Sequence, residues 1–482
     1  MSSFFLTGDS ARKKPGGRKR VAPSSAAGRG GKKTLTAGEE RVNRRRKRLE
    51  AEEISSDSGG EKSGVESDNE EFLEDVNQRA FRKASELLKK LRADKEGEEA
   101  EEVDDSKIAH ALREDADARA GRLHRKVADS IELDDDDEFR HRGHRFSVTS
   151  VAVSPCGRYA ISSGKEATIV KYDMETKKVV GVISPRTKKD KEVKTESACI
   201  LKGHIFAVAV STDGKYIASG GQDTVLRIWD FNTLVLVKEL KGHRGSITAL
   251  AFRSNSSQLF SASHDRSIRL WDCDQLGFVD TMFGHQDEIV SLSALSRERV
   301  LSGGGRDRSL RLWKVAEESQ LVFNGPTTCM SIECVTMINE DHFASGSSDG
   351  SLCLWSVMKK RATCVVQSAH GREEGGEPRW IVSLFAIPYT DLLLSGSSDG
   401  QLRVWRVAED YRTLTQVYSY EVDGFINSIA FSSATRTLVL GIGQEHRFGR
   451  WWKVPQAKNS VLCLPIRGLD SLPTDVLAQS SL

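Results

Sequence analysis

From about residue 139 onward, apolar and polar residues alternate at a period of two in short runs such as SITALAF (246–252) and RLWD (269–272). That period suits strands buried on one face, and the Ser/Gly/Asp clusters between the runs suit tight turns. The pattern itself repeats. Trp229, Trp271, Trp313 and Trp355 follow one another at 42 residues; Asp223, Asp265, Asp307 and Asp349 each precede one of them by six, as Asp399 precedes Trp405. A Gly-His pair lies upstream at His144, His204, His243 and His285, with Ala-His at His370. A single unit of this length cannot bury both its faces, so neighbouring units must stack.

A period near 42 with Gly-His and Trp-Asp marks resembles the WD-repeat family, whose unit is one four-stranded blade. The resemblance implies an all-β fold: a seven-bladed WD-repeat β-propeller over 139–466 with a short tail, 467–482, behind a disordered or helical charged N-terminal arm, 1–138. It also implies that each blade joins its loop His, a strand Ser, the turn Asp and the Trp indole in one buried hydrogen-bond chain. His204, Ser219, Asp223 and Trp229 form one such set, His243, Ser261, Asp265 and Trp271 another, and His285, Asp307 and Trp313 a third; Ser345 and Ser395 also fit the serine place.

Two weaker repeats complete the ring. ISSGKEATIVKYD (161–173) puts Tyr172 at the Trp position and Glu166 at the Asp position. GIGQEHRFGRWWKV (441–454) supplies Trp452, aligned with Trp313 through the shared WKV, with Trp451 as the alternative. For the strand that closes the last blade, 139–142 and 460–464 are both candidates.

Positions that break the repeat are better guides to function than those that keep it, because folding already explains the kept ones. A surplus of fifteen residues falls in the lysine-rich loop 184–199, and one of eight near HGREEGGEPRW (370–380). The last turn reads QEHRFGRWW where SSDGSLCLW is usual, and Pro326 stands where blade five should have its histidine. In a WD propeller the His and Asp loops open on one rim, so the resemblance puts the three rewritten loops on one face. The candidate RNA- or partner-binding residues there are His446, Arg447, Phe448, Arg450, Arg266, Arg306, Arg308, Lys188, Lys189, Lys191 and Lys194. The two arginines of the last turn read as exposed charges, and Phe448 as a residue that either stacks on a base or packs against the blade.

Charge is distributed unevenly along the arm. Residues 1–48 hold fifteen Lys/Arg against three Asp/Glu, and 49–138 hold thirty Asp/Glu against fourteen Lys/Arg. RKKPGGRKR (12–20) and RRRKR (44–48) lie in a basic block, 12–48, of the kind that nuclear import receptors read. The acidic tract 50–75 surrounds Ser55, Ser56, Ser58 and Ser67, as acid-directed kinases prefer. Amphipathic helices are expected at about 76–92 and 106–128, and the core is expected wholly downstream of residue 139.

The histidines and carboxylates do not spell an enzyme. Each His/Ser/Asp set recurs with the repeat, and no GxxxxGK[ST] loop, GxSxG elbow or HExxH helix is read. The cysteines lack metal-site spacing, no cofactor is implied, and no run approaches the roughly 18 apolar residues of a membrane span.

GHQDEIVSLSALSRE (284–298), EESQLVF (317–323), GFINSIAFSS (424–433) and GQEHRFGRWW (443–452), with AGRLHRKVAD in the arm, resemble the U3 small nucleolar ribonucleoprotein family of WD-repeat proteins. That resemblance implies a non-enzymatic nucleolar scaffold that binds the B/C motif of U3 small nucleolar RNA beside a kink-turn-binding protein. It would work among other box C/D ribonucleoprotein and small-subunit processome proteins, in pre-rRNA processing. The other class to weigh is a ubiquitin-ligase substrate receptor or chromatin-binding propeller. Ligase receptors usually carry WDxR, whereas Trp229-Asp230 is followed here by Phe231-Asn232 and Trp271-Asp272 by Cys273-Asp274.

Overall fold

The computed structural model describes residues 113–114, 116–117, 120–133, 138–185, 201–373, 375–450 and 452–468. The basic block, the acidic tract, the helix expected at 76–92 and the lysine-rich loop with Lys188, Lys189, Lys191 and Lys194 lie outside them. Among the described residues the strands form seven antiparallel sheets, six of four strands and a last one widened by chain from upstream. Blade three shows the plan: Ile247–Phe252, Gln258–Ser263, Ser267–Asp272 and Gly277–Phe283 pair in order from the channel outward.

Sequence pattern follows position in the blade. The second strands are buried on both faces, since neighbouring blades cover them, and the outermost strands, such as Gly277–Phe283, alternate toward solvent. Close stacking needs small residues at set places: a Cβ on Gly220 in blade two would lie 2.5 Å from Ile247 in blade three. Buried side chains also tie first strand to first strand. Thr149 donates to the Ile205 carbonyl at 2.7 Å, Ser383 to that of Ile426 at 2.7 Å, and Asn427 closes the ring onto Val148 at 2.8 Å.

Blade seven departs from the expected alignment. Its second strand, Thr437–Gly443, pairs with Ser460–Arg467, so Trp452 is not on the third strand at all. The register Leu438↔Leu464 corresponds to Leu259↔Trp271 in blade three, which sets Leu464 at the tryptophan place and Leu440 at the serine place. Both leucines are fully buried. The match of WKV to Trp313-Lys314-Val315 is therefore local spelling inside a long insertion, 444–459.

Both candidate closing strands are used. Ser460–Arg467 is the third strand, and Phe139–His141 and Glu132–Leu133 pair along its outer edge. The chain before them is packed too, on the rim formed by the turns after the first strands. Arg297 of blade four donates to the Ala120 carbonyl at 2.8 Å, and Arg122 pairs with Asp341 of blade five at 2.6 Å. Arg125 bridges to Thr390 of blade six, and the Asp391 carboxylate accepts from the Val127 and Ala128 N–H groups at 2.7 and 3.0 Å. Leu123, Val127 and Ala128 are buried, the last two in the core of blades six and seven. The core thus extends upstream of residue 139. The helix expected over 106–128 is seen at 113–114 and 116–117 but has given way by Gly121, whose φ of +64° suits a helix end; 122–128 form a strap instead.

Candidate interface at the channel mouth

Four blades carry complete hydrogen-bond sets. In blade three His243 bonds Asp265 at 2.9 Å and Ser261 at 2.7 Å, and the Trp271 indole donates to Ser261 at 2.8 Å. Blade four repeats this with His285, Asp307, Ser302 and Trp313, and blade six with His370, Asp399, Ser395 and Trp405. Blade one uses the predicted substitutes: His144 bonds Glu166 at 2.8 Å and Ser162 at 2.7 Å, and Ser162 reaches Tyr172 at 3.2 Å. Burial opposes ionisation of Glu166, but hydrogen bonds from His144, Thr168 and the Phe146 N–H outweigh it and hold the carboxyl at about 2. The same balance holds Asp265 and Asp307 below the usual carboxylate range.

Blade two corrects one expected set. Trp229 donates to Ser219 at 2.8 Å, but His204 turns to the Lys165 carbonyl at 2.5 Å and Asp223 pairs with Arg227. In blade two the first strand begins at Ile205, directly after His204, which leaves the imidazole no loop in which to fold back over its own blade. Blade five keeps Trp355 on Ser345 at 2.9 Å and lacks the histidine, as Pro326 predicts.

These sets fix one rim, and the insertion 444–459 occupies its centre. The other six blades close this turn with three or four residues; blade seven uses sixteen. The Arg447 guanidinium crosses the channel mouth to donate to the Val290 and Glu333 carbonyls of blades four and five, at 3.3 and 3.0 Å. Phe448 packs against Phe206 of blade two at 5.3 Å and His264 of blade three at 6.1 Å. His446 is buried beside Trp380 of blade six, and burial pushes its imidazole down to about 3. Lys165 of blade one donates to Glu445 at 3.3 Å and to the Gly449 carbonyl at 2.9 Å. One loop therefore touches every other blade of the ring.

From sequence Arg447 and Arg450 look equivalent, but the structure separates them. Arg447 is spent on backbone carbonyls inside the mouth, whereas the Arg450 side chain is 61% exposed, 3.5 Å from Glu445. Two of the three rewritten loops meet, since Trp380, at the end of the 370–380 surplus, packs on Trp452 at 4.9 Å. Arg266, Arg306 and Arg308 are exposed at turn tips on the same rim. Arg266 and Arg308 have φ of +66° and +54°, where the matching turns of blades five and six place Gly350 and Gly400 at +69° and +70°. Keeping a side chain in that conformation costs on the order of 1 kcal/mol, and the turns of blades one and two bear the same cost at Ala167 and Thr224, φ +63° each.

Lys165, Trp380 and Phe146 were not among the expected site residues. Phe146 left a trace: GHRFS in blade one parallels GHRGS in blade three, with an aromatic in place of Gly245. GSSDG at 346–350 and 396–400 does spell GxSxG, contrary to expectation, but each lies in a tight turn between antiparallel strands and no helix follows. Among the described residues no His/Cys/Asp/Glu group has metal-site geometry, and no helix is long and apolar enough to cross a membrane.

Seven stacked four-stranded blades carrying these His-Ser-acid sets define a WD-repeat β-propeller. The family described as "WD domain, G-beta repeat" matches residues 137–173, 195–230, 234–272, 277–314, 318–356 and 374–406, which stops short of blade seven. The chain is 44% identical to mouse U3 small nucleolar RNA-interacting protein 2 over 405 residues, 83% of this chain and 84% of that protein. It is 28% identical to Ribosomal RNA-processing protein 9 of Saccharomyces cerevisiae, over 75% of this chain and 80% of that one. A solved structure, "Structure of U3-55K", superposes with a TM-score of 0.65 at 40% identity, covering 69% of this chain and all of that one. The chain belongs to the family of U3 small nucleolar RNA-interacting protein 2.

Proposed function

We propose that the chain is a non-catalytic RNA–protein scaffold of the U3 small nucleolar ribonucleoprotein. In this reading it binds the B/C motif of U3 RNA beside a kink-turn-binding protein and supports pre-rRNA processing for the small subunit in the nucleolus. The observation that carries the reading is the insertion 444–459: sixteen residues that blade closure does not need, anchored on all the other blades and presenting Arg450 on a rim with Arg266, Arg306 and Arg308. Arginine suits a phosphate-rich partner because its planar fork donates paired hydrogen bonds. The names of the mouse and yeast relatives, which speak of U3 small nucleolar RNA and of ribosomal RNA processing, agree with it. A scaffold rather than an enzyme also fits the His-Ser-acid sets, whose polar atoms are taken up within the blades. The basic block at 12–48 is the proposed contact for a nuclear import receptor.

The test is purification of the tagged full chain from cells followed by sequencing of the bound RNA. One dominant species, U3 small nucleolar RNA, with its kink-turn-binding and processome proteins is the expected result. Ubiquitin-ligase subunits or histones without a small nucleolar RNA would overturn the proposal.

A further inference from the structure

Just outside the channel mouth, the loop that follows His144 presents an aromatic side chain that the fold does not use. Phe146 is 40% exposed and belongs to none of the apolar clusters of the seven blades. The matching places in blades three and four hold Gly245 and Asp287, so closing this loop requires no ring. Two guanidinium groups lie over it: that of Arg145 at 5.5 Å from the ring centre and that of Arg450 at 5.7 Å.

The loop is held rigidly from two blades. The Arg145 and Phe146 N–H groups both donate to one Glu166 oxygen, at 2.7 and 3.1 Å, while the other Glu166 oxygen accepts from His144 and Thr168 at 2.8 and 2.6 Å. From the other side Asn459, at the end of the blade-seven insertion, donates to the Arg145 carbonyl at 3.0 Å. Glu445 of the same insertion accepts from the buried Lys165 and pairs with Arg450 at 3.5 Å, which fixes where that guanidinium stands. An exposed ring on a fixed backbone, flanked by two cations, is a surface on which binding loses little conformational entropy.

We infer that Phe146, with Arg145 and Arg450 beside it, is a stacking platform for one unpaired base of the bound RNA, the arginines receiving the flanking phosphates. The inference rests on the RNA-scaffold reading above and adds to it a site and a ligand group. Every base offers a π face, and single-stranded segments are bound by this combination of aromatic face and positive charge. An acidic peptide would use the arginines but would gain nothing from the ring.

The test measures affinity of the full-length chain for transcribed U3 small nucleolar RNA, with the kink-turn-binding protein present, at two salt concentrations. Phe146→Ala should weaken binding roughly 5- to 150-fold, the range of base–aromatic stacking, and leave the salt dependence unchanged because no charge is lost. Phe146→Trp should restore binding, and both variants should melt like the parent. Equal affinity of Phe146→Ala and the parent overturns the platform while leaving the scaffold reading intact. So does a loss that Trp does not rescue, or a Phe146→Ala defect that persists against the kink-turn-binding protein without RNA. A parent chain that fails to bind the RNA overturns both.

Discussion

Blade three and blade seven solve the same problem with different chemistry. Blade three is self-contained: His243, Ser261, Asp265 and Trp271 form one buried hydrogen-bond chain across a three-residue turn. Blade seven has leucines at the serine and tryptophan places, and its order comes from elsewhere. Its edge is completed by residues 132–133 and 139–141, its turn becomes the insertion 444–459, and that insertion is fastened to the rest of the ring. A blade freed from the internal polar set can give its turn to another purpose, provided distant elements hold it.

That difference can be broken from blade seven's side first. A chain beginning at Asp134 loses Leu123, Val127 and the strand at 132–133, while one beginning at residue 113 keeps them. At about 1.5–3 kcal/mol for each large buried apolar side chain, the shorter chain should be less stable by roughly 3–6 kcal/mol, read as a lower urea midpoint. Equal midpoints would mean that the strap adds nothing to blade seven.

From blade three's side, Asp265→Ala leaves His243 and the Arg244 N–H short of an acceptor and should cost about 1–3 kcal/mol. Asp223→Ala in blade two acts on different partners: His204 stays on the Lys165 carbonyl, and the buried Arg227 loses Asp223 and keeps Glu239. A second change of the histidine to Ala should therefore be non-additive with Asp265→Ala in blade three and additive with Asp223→Ala in blade two. Thermal melts of the single and double variants check this, and additivity in blade three would refute the assignment of complete and broken sets.

Acid should separate the blades as well. His446 is held neutral by burial, at about 3 against an ordinary 6.5, so the unfolded chain takes its proton first. The stability it contributes is full above pH 6.5 and is lost as pH falls, on the order of 2 kcal/mol by pH 5. Asp265, depressed below the ordinary 3.8, contributes stability that is full above that value and is lost only below it. Burial also pushes His342 down, to about 4, so two imidazoles act over this range. Melting temperature should therefore begin to fall between pH 6.5 and 5, and His446→Gln should make the fall down to about pH 3 shallower without abolishing it.

The repeat was legible because it is written in residues that the fold cannot replace. The Trp, Asp and Gly-His marks placed six blades, and even Glu166 and Tyr172 were recognisable at positions where their polar atoms take over the same bonds. Blade seven was misaligned because Leu440 and Leu464 keep the packing and erase the marks, while WKV at 452–454 imitates one. The strap reads as helix in the sequence because Leu123 and Val127 keep a four-residue apolar spacing, while the backbone groups that meet Asp391 and Tyr389 leave no side-chain pattern. At the site, type and place were readable but direction was not. GQEHRFGR stood out as a departure, yet that Arg447 turns inward and Arg450 outward depends on carbonyls of blades four and five, more than a hundred residues away in sequence.

The RNA reading of this rim depends above all on that separation of Arg447 from Arg450. The measurement that tests it is the affinity of parent, Arg447→Ala and Arg450→Ala chains for a U3 B/C RNA carrying the kink-turn-binding protein, at several salt concentrations, beside their melting temperatures. Arg450→Ala should melt like the parent, bind more weakly and lower the salt slope by about 1, as the loss of one phosphate contact requires. Arg447→Ala should instead lower the melting temperature, since two carbonyls in the channel mouth lose their donor. If Arg450→Ala keeps both the parent affinity and the parent slope, the insertion of blade seven is not the RNA contact.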